Sequence, residues 1–158
     1  MAYEVLRLLA AEYLASQAVK DGGIGLDILE ITDSVLTLGS ARNWARLLFD
    51  SRILIDRANS EIVLFDKAFG LVSERRIPMS FVDSVKMSVR IRRAFNMPVY
   101  RMVPTNPARI DLWIDVSEMG KIELDTHYGV RSDANELASL GSRVAQFMQR
   151  PFVDTSKW

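Results

Sequence analysis

The chain holds a single histidine, His127, in the run Asp125-Thr126-His127-Tyr128. An imidazole oriented by a neighbouring carboxylate is a good general base. On a strand, however, side chains alternate, so His127 shares a face with Glu123 and Asp125. That is the face expected to meet solvent, where an isolated histidine is ordinarily just hydrated. A Ser-His-Asp arrangement would have to use His127, yet no Gly-x-Ser-x-Gly turn occurs. The acids Asp111, Asp115, Glu123 and Asp125 fall on one face of the same hairpin and could approach a cation. Calcium wants its oxygens wrapped around it, usually by a loop, and a flat face offers them poorly. Gly22-Gly23-Ile24-Gly25 lacks both a preceding strand and a following Gly-Lys-Ser/Thr, so it is no phosphate loop. With no cysteine there is also no thiolate nucleophile and no disulfide framework. The expectation is therefore no catalytic residue, no metal and no cofactor.

Charge patterning is the more unusual feature. Between Ser84 and Ile110 stand Lys86, Arg90, Arg92, Arg93, Arg101 and Arg109, with no acid. In Ser84–Arg93, Val85, Met87, Val89 and Ile91 alternate with Lys86, Ser88, Arg90 and Arg92, which makes a strand oily on one side and cationic on the other. One reading pairs these cations with the outward acids of the hairpin at 110–128, at about 0.2–1 kcal/mol per cross-strand pair. The other makes Lys86, Arg90, Arg92, Arg93 and Arg101 a site for an anionic partner. At an anionic membrane each such cation contributes about 1 kcal/mol, enough only for weak, salt-sensitive attachment. The 20 basic and 20 acidic residues cancel, which disfavours a dedicated nucleic-acid binder.

Positioning these residues falls to a mainly β chain. At 158 residues and 49% hydrophobic, one domain with its own core is expected. No apolar run approaches the ~18 residues of a spanning helix, and Glu4 and Arg7 interrupt any leader-like start. A cytoplasmic protein, at most peripheral at a membrane, is expected. Residues 2–19 repeat apolar positions at helical spacing and predict a helix. LDILEI and VLTLG around Thr32-Asp33-Ser34 predict a hairpin, as do RILID and EIVLF around Arg57-Ala58-Asn59-Ser60. Residues 40–49 read equally as helical turn or strand. A strand near Ser73–Ile77 should break at Pro78, and 94–108, with three prolines, should form a loop holding a short edge strand at Val99–Val103.

Ile110, Leu112, Ile114 and Val116 face inward in the clearest hairpin. Its return strand should turn Ile122, Leu124, Thr126 and Tyr128 to the same side. A three-residue turn, Glu118-Met119-Gly120, would pair Val116 with Ile122 and Ile114 with Leu124. Residues 133–149 predict a closing helix capped by Ser132 or Asp133, with Leu137, Leu140, Val144, Phe147 and Met148 facing the sheet. Gly141 in its middle costs about 1 kcal/mol relative to alanine, which close approach to a strand would justify.

From Ile53 to Phe152 the succession resembles bacterial pleckstrin-homology-like domains. The stretches that carry it are the Ile-Asp-Arg hairpin, the Arg-Arg-Ile-Pro strand, the aspartate and valine-rich strand after it, and the final hairpin and helix. The resemblance implies a bent antiparallel barrel or sandwich over 51–153, capped by one C-terminal helix. Residues 1–50 would add a helix and extension strands, and 154–158 a tail. Many relatives carry transmembrane helices, which this chain lacks. The family has no shared catalytic chemistry, so it lends no functional residue. The leading expectation is a non-enzymatic module that docks a protein partner or, weakly, an anionic membrane surface, as a homo-oligomer that covers its edge strands. The alternative is a ligand-binding barrel or small enzyme with a pocket near Trp44, Trp113 and His127.

Overall fold

The computed structural model describes residues 26–40, 49–91, 108–129 and 131–156. Outside these lie the expected N-terminal helix, the ambiguous segment with Trp44, most of the proline-rich loop, and Arg92, Arg93 and Arg101.

Among the described residues the fold is mainly β, with two sheets and one helix. The first sheet is a meander of β1 (Leu26–Ile31), β2 (Val35–Ser40), β3 (Phe49–Asp56), β4 (Glu61–Ala68) and β5 (Leu71–Pro78), each paired antiparallel with the next. A 3₁₀ turn, Met79–Phe81, leads into β6 (Val82–Ile91). The second sheet runs β8 (Gly120–Gly129), β7 (Ala108–Val116), β6, β9 (Phe152–Asp154), with β9 parallel to β6. Among the described residues no ladder joins the two sheets, which form an open sandwich and not a closed barrel.

The expected hairpins at 32–34 and 57–60 are present, and local chemistry explains them. The Thr32 hydroxyl accepts from the Val35 amide at 3.0 Å. Asp56 accepts from the Asn59 amide at 3.0 Å and its side-chain nitrogen at 2.7 Å, while Ser60 takes the left-handed conformation at φ 54°. Those Asn59 bonds hold the Asp56 carboxyl below the usual carboxylate range. Pro78 ends β5, as a residue without an amide proton should.

One core joins the sheets. Leu36, Leu38, Ile55, Ile62 and Ile77 face it from the first sheet; Val85, Met87, Val89, Ile110, Leu112 and Ile114 face it from the second. Each such side chain contributes about 1.5–3 kcal/mol of burial. Helix α1 (Arg131–Met148) packs on β6, β7 and β9, burying Leu137, Leu140, Val144 and Met148. Phe147 is half-buried, with the Arg57 guanidinium 5.5 Å from its ring centre. The helix starts earlier than its apolar pattern implies, so Ser132 and Asp133 lie inside its first turn instead of capping it. Gln149, at φ 56°, ends it, with the amides of Gln149 and Arg150 returning to the carbonyls of Gln146 and Ala145. Pro151 follows that stop and does not cause it.

The β7–β8 hairpin departs from expectation twice. Its turn does have three residues, but they are Ser117, Glu118 and Met119. Val116 therefore pairs with Gly120 and Ile114 with Ile122. Glu118 (φ 66°) and Gly120 (φ 92°) supply the left-handed positions. Then the register shifts between Trp113↔Glu123 and Leu112↔Asp125, leaving Leu124 as an extra residue. A bulge of this kind reverses which residues face inward beyond it. Asp125 and His127 consequently stand opposite Leu112 and Ile110 on the core side, and Thr126 turns out to solvent.

Candidate functional site

Three regions carry unusual side chains. On the outer face of β6, Lys86 forms an ion pair with Asp115 Oδ2, and both are about a third exposed. Arg90 is exposed and stands opposite Arg109, whose Nε donates to Asp111 Oδ1 at 2.9 Å. The cationic row is thus partly neutralised by the acids of the neighbouring strand. Thermal or urea denaturation of the Lys86→Ala, Asp115→Ala cycle should give a coupling of about 0.5 kcal/mol. A coupling of zero would leave Lys86 available to an anionic ligand.

The second region is created by the bulge. His127 is 6% exposed and its Nε2 lies 3.4 Å from Asp133 Oδ2 in the first turn of α1. Asp125 Oδ2 is buried with no hydrogen-bond partner among the described residues. Burial pushes the Asp125 carboxyl above the usual carboxylate range, while the neighbouring His127 and the Thr126 amide pull it back. An imidazole between carboxylates suits proton transfer, but this one is buried beside the first turn of the helix. Trp113 is on the opposite face of the sheet, with Lys121 Nζ 5.6 Å from its ring centre. Trp113 and His127 therefore do not line a common pocket. Among the described residues no group of three or more His, Asp or Glu side chains is placed to hold a metal.

The third region was not anticipated, and it lies where the sandwich is open. The inner face of β3, β4 and β5 is apolar at Ile55, Ile62 and Ile77, and turns polar at Ser51, Asp66 and Ser73. The Ser51 hydroxyl donates to Asp66 at 2.7 Å. Here the first sheet faces the start of β8 across a cavity of 220 Å³ lined by Ile53, Leu64, Arg75 and Ile122 among others. Such a volume suits a side chain better than a drug-sized substrate, whose pockets run to about 300–1,000 Å³. Beside it the β4–β5 turn presents Phe69, Leu71 and Val72, which are 52%, 56% and 59% exposed. Phe69 (φ 49°) and Gly70 (φ 82°) make a two-residue turn with both centres left-handed. Asparagine or glycine fits such a position, whereas a bulky residue there is an outlier. One signal in the sequence pointed here: Ala68-Phe69-Gly70-Leu71-Val72 stays apolar through a turn.

No family model matches the chain, and no curated protein matches it.

Proposed function

We propose that this chain is a non-enzymatic interaction module on a pleckstrin-homology-like plan, and that it docks a protein partner through the open end of its first sheet. The observation that carries the reading is the exposed apolar group Phe69, Leu71 and Val72 within four residues. Isolated exposed apolar residues need no explanation, but three within four residues do, with Leu71 on the inner face of β5 and Val72 on the outer. The strained turn points the same way. A phenylalanine held at φ 49° costs about 1 kcal/mol or more, and such strain is typical of places where a side chain is wanted for a task. The family resemblance implied a bent antiparallel barrel or sandwich capped by one C-terminal helix; the antiparallel sheets and that helix support the plan, although the sheets do not close into a barrel. The buried His127 and the small seam cavity weigh against an enzyme.

The variant Phe69→Asn, Leu71→Ser, Val72→Thr keeps turn and strand preferences while removing the apolar group. In affinity capture from the source cells, it is expected to lose at least tenfold of a specific co-purifying protein at unchanged circular dichroism. Flotation with vesicles of neutral and anionic lipid, at low and high salt, runs in parallel. A variant that retains every captured protein sinks the proposal. Lipid binding abolished by Arg90→Ser instead would make the cationic row the working surface.

A further inference from the structure

Every exposed strand edge is a template for pairing, and proteins blunt such edges with charge, proline, bulges or brevity. Among the described strands, β1 carries Asp27 and Glu30 and a register shift at Leu29. Strand β8 carries Lys121, Glu123 and Asp125 and the bulge at Leu124. Strand β9 is three residues long and includes Asp154. Strand β5 differs along its length. Its second half holds Glu74, Arg75, Arg76 and Pro78, but its first half, Leu71-Val72-Ser73, has no charge and pairs with β4 without a shift. That half is the one unblunted edge among them, and it adjoins the seam cavity.

A second copy fits the full length of this strand badly. Two-fold antiparallel pairing keeps the inner faces of two sheets together only when one residue sits opposite itself. Registers that use the whole of β5 put either Glu74 opposite Glu74 or Arg75 opposite Arg75, and like charges directly opposite are destabilising. The charges at the edge favour a different occupant. Arg76, on the outer face, is engaged by Glu61 at 2.8 Å and Glu74 at 2.6 Å. Arg75 points to the inner face opposite Leu64, is exposed at the rim of the cavity, and has no ion-pair partner among the described residues. The inner side of this edge thus offers an apolar side chain, Leu71, and, four residues on, a cation with no ion pair among the described residues, although the Asp66 and Glu123 carboxylates line the same cavity.

We propose that Leu71–Arg76 receives an extended segment of another protein as an added strand. The segment presents a large apolar residue to Leu71 and, four residues away on the same face, an aspartate or glutamate to Arg75. Main-chain hydrogen bonds would hold the segment and the two side-chain contacts would select it. This inference rests on the docking function proposed above and adds to it the mode of binding and the chemistry of the partner.

The test is selection from a displayed library of random ten-residue peptides, using the full chain. Enriched sequences are expected to carry a carboxylate four residues from an apolar side chain. Their affinity should fall at least tenfold with Ser73→Lys, which charges the bare edge. With Arg75→Glu the preference should switch to lysine or arginine. Amide shift changes on peptide addition should centre on 71–76. Failure to enrich, binding indifferent to both substitutions, or shifts mapping to β8 or β9 would overturn the proposal. Peptides that map to the Lys86–Arg90 face would overturn this inference while leaving a docking module standing. Loss of both requires, in addition, that partner capture be untouched by the triple variant.

Discussion

Replacing Gly141 by valine is expected to lower the folding stability by about 2–3 kcal/mol, because it overfills a contact that only a missing side chain permits. A Cβ at this position would lie 2.7 Å from Leu112 Cδ1 and 2.7 Å from Phe152 Cε2. Leu112 is fully buried in the middle of β7 and has nowhere to retreat. Phe152 is half-buried and belongs to β9, the short parallel strand that follows the helix. The glycine is therefore a notch through which the helix approaches β7 and seats the ring of Phe152. Its intrinsic cost in a helix, about 1 kcal/mol against alanine, is offset by that packing.

For a domain of this size the loss corresponds to about 2–4 °C of melting temperature per kcal/mol. Alanine should be milder, since its helix preference opposes a smaller overlap. Adding Phe152→Ala to Gly141→Val should restore part of the loss, with a coupling of about 1 kcal/mol, since each change touches the same space. Amide exchange localises the effect: β9 hangs on the Val85 amide to the Pro151 carbonyl and the Thr155 amide to Met87, both 2.9 Å. Faster exchange at Val85 and Thr155 in the valine variant is the expected sign that β9 has been levered off. A valine variant as stable as the parent, with β9 protected, would show that the notch has slack.

That notch was legible before any coordinates, because a glycine inside a well-patterned helix asks for a close neighbour. Hairpins marked by turn chemistry were legible for the same reason: Asp56, Asn59 and Ser60 act over a few residues, and local chemistry settles them. The β7–β8 register was only half legible. Alternation says which residues share a face, so Val116 opposite Ile122 and Ile114 opposite Ile122 satisfy it equally well, and the turn chose the second. Alternation also fails silently at a bulge. Nothing in Lys121-Ile122-Glu123-Leu124-Asp125 announces the extra residue, yet it carries His127 from the solvent face to the core side, beside the first turn of the helix. The open seam was the least legible part, since the gap between β5 and β8 depends on how two sheets meet. Arg75 reads as one more surface charge until that gap puts it at the mouth of a cavity.

The displaced Asp125 has a measurable consequence. Asp125→Asn is expected to stabilise the protein by about 1–2 kcal/mol near neutral pH, the size of the penalty for a buried polar group left unpaired. Strand alternation beyond the bulge forces this carboxylate inward opposite Leu112, where Oδ2 meets no donor among the described residues. Burial raises its pKa in the folded state, with His127 and the Thr126 amide opposing. A carboxyl whose folded pKa exceeds its unfolded one favours folding only while protonated. Its contribution is fully present below the unfolded value near 4 and is lost as the pH rises through the raised folded value. The parent should therefore lose stability relative to the Asn variant across that window, and the two urea midpoints should converge at about pH 3. The charged groups around the carboxylate shape the curve. His127 on the same strand favours the Asp125 carboxylate, while Asp133 on the helix lies 3.4 Å from the His127 Nε2. If the Asn variant is less stable than the parent at every pH, the Asp125 carboxylate is better satisfied than its geometry shows, and the bulge holds it in place as a partner of His127.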